Sequence, residues 1–255
     1  MPLELVTIPC RTDNYAFLVH DTASGATLLV DAPEAAPIAA ALDARGWTLS
    51  HVLLTHHHGD HVEGLELLRT RFDPTVVGAE ADRHRLPPLD EGVADGDQID
   101  FAGHTITVID VPGHTVGHVA FHMPDAGAVF TADSLMALGC GRLFEGTADQ
   151  MWSSLSRLAT LPPETLVCSG HEYTAANARF ALTIEPDNAA LQARADRIAD
   201  ARSRGKPTVP STLADELATN PFLRAGLPSV KAAISMPQSP DASVFAEIRR
   251  RKDAF

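Results

Sequence analysis

The sequence predicts an α/β fold with a helical C-terminal region. Three observations carry that expectation. Up to about Gly170, short apolar runs alternate with Gly, Pro and Asp. Segments with helical spacing lie between those runs. After Glu172 the strand-like runs stop, and helical segments separated by prolines take over. Strands interleaved with helices imply layers, because each apolar sheet face needs a cover.

Taken in order, seven segments read as strands: Thr27–Asp31, His51–Thr55, Thr75–Gly78, Thr105–Val111, Val119–His122, Ala128–Ala132 and Thr165–Ser169. Each is short, rich in Val, Ile or Leu, and bounded by turn residues. Ala35–Arg45 and Asp149–Leu161 read as helices. So does His61–Arg71, with Val62, Leu65 and Leu68 at helical spacing. Further on, Asn188–Ser203 carries Leu191, Ala195, Ile198 and Ala199 at the same spacing. Thr212–Ala218 opens with Thr212 as N-cap and Asp215 three residues later, a capping-box pattern. Ala242–Lys252 reads as the last helix. The change of character lies near 172–186, so an α/β domain is expected over 1–172 and a helical domain over 173–255.

The bulk properties narrow the classes of function. A chain of 255 residues suits one large domain, or a domain with an appendage. No apolar run is long enough to span a bilayer. Met1–Cys10 lacks a basic stretch followed by an apolar one, so no signal peptide is expected. The three cysteines, Cys10, Cys140 and Cys168, are odd in number and widely spaced. That argues against a disulfide framework and for a reducing, cytoplasmic location. The net charge of -13 excludes non-specific binding to nucleic acid or to an anionic membrane. It would also repel a small anionic substrate unless cations gather locally. No apolar face demands a partner chain, so a monomer is expected.

The strongest chemical signal is Thr55-His56-His57-His58-Gly59-Asp60-His61, which directly follows a strand. In extended chain, residues i and i+2 point the same way. His56 and His58 can therefore grip one cation while His57 points elsewhere. Asp60 and His61 begin the next element and can serve a second cation. Further candidates also follow apolar strands: His114 in Pro112-Gly113-His114-Thr115, Asp133 after Ala128–Ala132, and His171 after Thr165–Ser169. Ligands at strand ends sit on rigid supports.

This pattern resembles the metallo-β-lactamase superfamily: HxHxDH at His56, His58, Asp60 and His61, then His114, Asp133 and His171 in the same order. The resemblance implies a four-layer αβ/βα sandwich. It implies one metal held by His56, His58 and His114 and a second held by Asp60, His61 and His171, with Asp133 bridging the two. Zinc is the first expectation, and iron or manganese also suit such ligands. The other seven histidines take the ordinary reading of surface or packed residues, with His118 placed near enough to His114 to support a ligand.

Outside the metal loop, the chain is similar to glyoxalase II. The likeness rests on Gly139–Thr147 (GCGRLFEGT), Cys168–Thr174 (CSGHEYT), Glu185–Asn188, Pro207–Thr212, Asn220–Arg224 and the basic end Arg249–Asp253. It implies a catalytic domain over 1–172 and a substrate-binding domain over 173–255. It implies that Arg249 and Lys252 bind the glutathione carboxylate, with Arg142, Phe144 and Tyr173 beside them. The family usually has Lys at the position of Arg142 and Tyr at that of Phe144. Arg keeps the charge, whereas Phe144 lacks a hydroxyl.

The activity so implied is hydrolysis of S-D-lactoylglutathione, and of related 2-hydroxyacylglutathiones, to glutathione and D-lactate. That is the second step of methylglyoxal detoxification. Two cations about 3.5–4 Å apart can share and acidify a water, whose hydroxide attacks the thioester. The leaving thiol has an ordinary pKa of about 8.5 and can depart as thiolate. No G-x-S-x-G element is present, and Cys168 and Ser169 read as packing residues. The competing expectations are a glutathione-persulfide dioxygenase with mononuclear iron, a lactonase or β-lactamase on the same fold, and a non-catalytic metal-binding module.

Overall fold

Two strands for which the apolar pattern gives no signal open the chain, β1 (Leu3–Cys10) and β2 (Asn14–Asp21). Every residue of β2 is buried, yet polar residues interrupt its apolar run. Each of these finds a partner. Asn14 donates to Asp60, His20 meets the Thr27 hydroxyl, and Asp21 accepts the amides of Ala23 and Ser24. The computed structural model describes residues 3–255; the expectation for Met1–Cys10 falls in part on residues 1 and 2, outside the described residues.

The described chain divides into two compact units. The first comprises residues 3–110 and 117–132, and the second residues 111–116 and 133–255.

In the first unit, six strands form a sheet in the order of the chain: β1, β2, β3 (Thr27–Val30), β4 (His51–Leu54), β5 (Thr75–Ala79) and β6 (Glu91–Val93). The first three pair antiparallel, and β3 to β6 run parallel. Parallel neighbours need a crossover. Helix α1 (Ala35–Arg45) makes the first, ending on Gly46 in the left-handed region. The expected helix over 61–71 is two pieces, α2 (Gly59–Val62) and α3 (Leu65–Phe72). They separate at Gly64, which lies against the chain at 32–35. A Cβ there would come within 2.6 Å of the Ala35 nitrogen. Ile38, Leu42, Leu65 and Leu68 of α1 and α3 join Leu18, Leu29, Val52 and Val76 of the sheet in one buried cluster.

Four more strands of this unit form an antiparallel meander: β7 (Gln98–Phe101), β8 (His104–Asp110), β9 (Val119–Met123) and β10 (Ala128–Ala132). Phe17 of β2 meets Phe130 of β10 with ring centroids 5.8 Å apart, so the two sheets share apolar inner faces.

The second unit carries the small hairpin β11 (Leu135–Met136) and β12 (Gly139–Cys140), then α4 (Ala148–Leu158) and β13 (Leu166–Ser169). Helices α5 (Thr174–Ile184) and α6 (Ala189–Ser203) come next. The unit closes with β14 (Ser211–Thr212), α7 (Leu213–Thr219), α8 (Pro228–Ala233) and α9 (Asp241–Asp253). Strand β14 pairs antiparallel with β13. Helix α4 starts with a full capping box, Thr147 with Gln150. Thr212 caps α7 as expected, its hydroxyl accepting the Asp215 amide.

A buried polar knot holds the turn between β11 and β12. Glu216 is fully buried and accepts from Arg194, Ser211, Asn220 and the Leu138 amide. Asn220 also donates to the carbonyls of Met136 and Gly139. Around it Leu138, Ala178, Ala181, Leu191 and Ile198 form an apolar cluster between α5 and α6. Among the described residues, no helix is long and apolar enough to cross a membrane.

Candidate metal centre and anion site

Strand β4 delivers the histidine loop of the first unit. Its last residues are fully buried, as are Thr55 and His56. The rings of His56 and His58 lie 4.8 Å apart at 77°, as residues i and i+2 of an extended segment should. His57 turns away, its Nδ1 3.3 Å from a carboxylate oxygen of buried Asp82.

Carboxylate and hydroxyl partners orient these rings. The Asp31 carboxylate accepts from the Thr55 amide at 2.9 Å, the Thr55 hydroxyl at 2.8 Å and His61 Nδ1 at 2.8 Å. The Thr55 oxygen, its hydrogen spent on Asp31, lies 3.0 Å from His56 Nδ1 and accepts from it. Both imidazoles thereby carry their proton on Nδ1, which leaves Nε2 as a lone-pair donor suited to a metal. Asp31, His56 and His61 offer ligand atoms within 4.8 Å of one another. Asp31 is the orienting member of the three, because its oxygens already take three donors. It stands in the left-handed region at φ 57° directly after β3, which sets the direction of its carboxylate.

Asn14 does the same for Asp60, donating to its carbonyl at 3.0 Å and to its carboxylate at 3.1 Å. The Asp60 carboxylate lies 3.8 Å from His61 Nε2. His118, expected to be an ordinary histidine, is buried and stacks on His56 at 4.6 Å and 12°.

The second unit brings together the remaining candidate ligands. His114 Nδ1 lies 2.9 Å from the Arg142 carbonyl, so its Nε2 is again the lone-pair nitrogen. That Nε2 is 3.4 Å from one oxygen of Asp133. His171 Nε2 is 3.4 Å from the other oxygen of Asp133. Two ligands each about 2.0–2.1 Å from one cation in tetrahedral geometry stand roughly 3.3 Å apart. Both spacings match that value, one on each Asp133 oxygen. A carboxylate so placed can serve two cations at once, and the donor set fits divalent metal ions. Gly141 permits the arrangement: a Cβ there would fall 1.9 Å from the Asp133 carbonyl and 3.0 Å from His114 Nδ1.

Two exposed aromatic rings flank these histidines. Phe144 sits 5.2 Å from His114, and Tyr173 stacks on His171 at 4.7 Å and 4°.

The basic residues of the second unit gather around Lys252. Its ammonium lies 5.2 Å from the ring centroids of Phe180 and Phe255, and donates to the Ala176 carbonyl at 3.4 Å. Burial, then Arg249, Arg179 and Arg142, pull its pKa down to about 8. Arg249, expected to bind a carboxylate, is only 5% exposed and is already engaged. It donates to the Cys140 carbonyl and to Asp253, and it lies over the Phe222 ring. Its Nε alone has no partner. Cys140 and Cys168 are buried thiols pushed upward by desolvation, Cys140 to about 11, so neither is a ready nucleophile.

The sequence pattern does not single out Asp31, Asn14 or Arg179, and it marks Thr55 only as the strand end before the histidines. Asp31 and Thr55 terminate apolar strands, and a polar residue at such an end is the one local signal they leave.

Comparison with known proteins adds to this geometry. The pattern of the metallo-β-lactamase superfamily matches residues 11–171, and that of the hydroxyacylglutathione hydrolase C-terminus matches residues 172–255. A hydroxyacylglutathione hydrolase of Ruegeria pomeroyi is 65% identical over 255 residues, covering 100% of both chains. Among solved structures, the B3 metallo-β-lactamase BLEG-1 superposes with a TM-score of 0.68 at 20% identity, covering 86% of this chain and 99% of its own. The protein TTHA1623, solved in a di-iron-bound form, has a TM-score of 0.55 at 30% identity, covering 66% of this chain and 91% of its own.

Proposed function

Because the chain belongs to the hydroxyacylglutathione hydrolase family and has the metallo-β-lactamase fold, we propose that it hydrolyses S-D-lactoylglutathione and related 2-hydroxyacylglutathiones. The products are glutathione and D-lactate, the second step of methylglyoxal detoxification. In this reading residues 1–172 supply the catalytic domain and residues 173–255 the substrate-binding domain. As the family resemblance implies, His56, His58 and His114 with Asp133 would hold one divalent cation, and Asp60, His61 and His171 with Asp133 the other. Zinc suits these ligands, and iron or manganese would also be accepted. The protein acts as a cytoplasmic monomer on a small anionic thioester.

The observation that carries the proposal is the Asp133 carboxylate, with one oxygen beside His114 and the other beside His171. Bound cations would supply an acidified water and polarise the thioester carbonyl. The chain's own residues do the rest. Asp31 and Thr55 hold His61 and His56 with Nε2 free of protons, so the ligands are preorganised. The rings of Phe144 and Tyr173 flank His114 and His171 and present apolar surface to the substrate. Lys252, Arg142 and the positive charge of Arg249 attract the carboxylates of glutathione. The chain offers no activated thiol, so the attacking oxygen comes from water. The C–S bond breaks and the sulfur leaves as thiolate, needing no strong acid because its ordinary pKa is about 8.5.

The test replaces His114 or Asp133 with Ala and follows both metal content and hydrolysis. We expect activity to fall by more than about 10²-fold, the scale of losing a major electrostatic stabiliser, with metal lost in parallel. Retained hydrolysis would remove these residues from the site. Oxygen consumption with glutathione persulfide, in place of thioester hydrolysis, would assign the protein to the mononuclear-iron dioxygenases.

A further inference from the structure

We propose that Arg179 is a further specificity-determining residue that anchors a carboxylate of the substrate's glutathione beside Lys252. The inference rests on the glutathione reading above and extends it to a residue outside the expected set.

The placement comes from α5. Ala176 of that helix accepts from the Lys252 ammonium, and Phe180 lies beneath it. Arg179 is three residues after Ala176 and next to Phe180, so it shares the turn that faces the ammonium. It is exposed. Its charge is among those that push the Lys252 proton off.

Arg179 is also idle. In a chain with 33 acidic and 20 basic residues, most guanidinium groups here find a carboxylate. Arg194, Arg224, Arg249, Arg250 and Arg251 all do so. Arg179 and Arg142 have neither an ion pair nor a side-chain hydrogen bond among the described residues. Arg249, Lys252, Arg179 and Arg142 have one carboxylate among them, Asp253, so the cluster keeps a net positive charge and repels itself. A bound carboxylate relieves that repulsion. Glutathione carries two carboxylates, one on its glycine and one on its γ-glutamyl residue. Lys252 alone offers few donors for two such groups, since the unpartnered Nε of Arg249 is buried. Arg179 and Arg142 add two planar forks that match a carboxylate.

The experiment compares two thioesters, S-D-lactoylglutathione and S-D-lactoyl-N-acetylcysteamine, which lacks both carboxylates. The readout is the ratio of their kcat/KM values at low ionic strength. The wild-type protein should prefer the glutathione thioester. Arg179→Ala should cut that preference about three- to tenfold, through KM rather than kcat, as expected for an exposed charged contact. Arg179→Glu should cut it further, and Arg179→Lys should restore much of it. Salt should shrink the difference between wild type and Arg179→Ala. A wild-type preference that survives Arg179→Ala and Arg179→Glu within twofold overturns the role of Arg179 and leaves the glutathione reading standing. A wild-type protein without preference overturns the glutathione reading, and the anchor with it.

Discussion

Replacing Asp31 with Asn tests the claim that the metal ligands are preorganised from behind. The carboxylate is 3% exposed and accepts three hydrogen bonds of 2.8–2.9 Å. In the amide, one oxygen can still accept the Thr55 amide. The NH2 group that replaces the second oxygen can accept neither the Thr55 hydroxyl nor His61 Nδ1–H. Two hydrogen bonds to a charged group are lost, worth about 1.5–3 kcal/mol each. The hydroxyl can rotate to recover part of this. His61 can recover the rest by moving its proton to Nε2, but that removes the lone pair a metal requires. Loss of such an outer partner typically weakens metal affinity about 10–100-fold.

The assay is metal content after equilibration with a graded chelator, alongside the circular dichroism of the folded protein. Asp31→Asn should release one equivalent of metal at roughly 10–100-fold lower chelator concentration than wild type. The other equivalent should leave later, since His114 keeps its Nδ1 partner, the Arg142 carbonyl. Thr55→Val, which removes only the hydroxyl, should show a smaller shift in the same direction. Wild-type metal retention in folded Asp31→Asn would refute the argument that Nδ1 partners set the ligands.

Other consequences follow from the same geometry. Phe144→Tyr adds a hydroxyl beside His114 and should lower KM for the glutathione thioester by about two- to tenfold, the value of one hydrogen bond; an unchanged or raised KM would defeat the idea. Lys252 faces Arg249, Arg179, Arg142 and Asp253, and its pKa near 8 makes binding pH-dependent. KM should stay flat below about pH 8 and rise above it as the ammonium loses its proton, whereas Lys252→Arg should stay flat; a wild-type profile flat to pH 9.5 or so would contradict the assignment. Stability should respond with the opposite sign. The folded chain releases this proton earlier than the unfolded chain does, so the contribution rises between about pH 8 and the ordinary value of 10.5. Arg194→Ala leaves Glu216 buried without its cation and should destabilise by about 3–5 kcal/mol, or roughly 6–20 °C in Tm; a change under about 3 °C would show that the other donors to Glu216 suffice.

Much of the fold is legible in the sequence where apolar residues repeat cleanly. The strands over 27–30, 51–54 and 128–132 and helix α1 fall within a residue of their expected bounds. The strands β1 and β2 are not legible, because Asn14, His20 and Asp21 break the apolar run and find their partners only in three dimensions. Helix α5 hides for a similar reason: its buried face includes Thr174 and Asn177, and Asn177 donates to the Ala137 carbonyl. The candidate metal ligands stand out by residue type alone. Their supports do not, since Asp31 becomes an orienting carboxylate only when β3 and β4 lie side by side. Arg249 shows the reverse. Its expected carboxylate role comes from the family resemblance and not from its surroundings, and the structure places most of its guanidinium inside, on Cys140 and Asp253.

The measurement that bears most directly on the whole account is hydrolysis of S-D-lactoylglutathione by the purified protein, without oxygen, before and after chelation. The account predicts rapid thioester loss with two equivalents of metal bound, abolished by chelation and restored by adding a divalent cation. A protein that keeps both metals and leaves the thioester intact would contradict it.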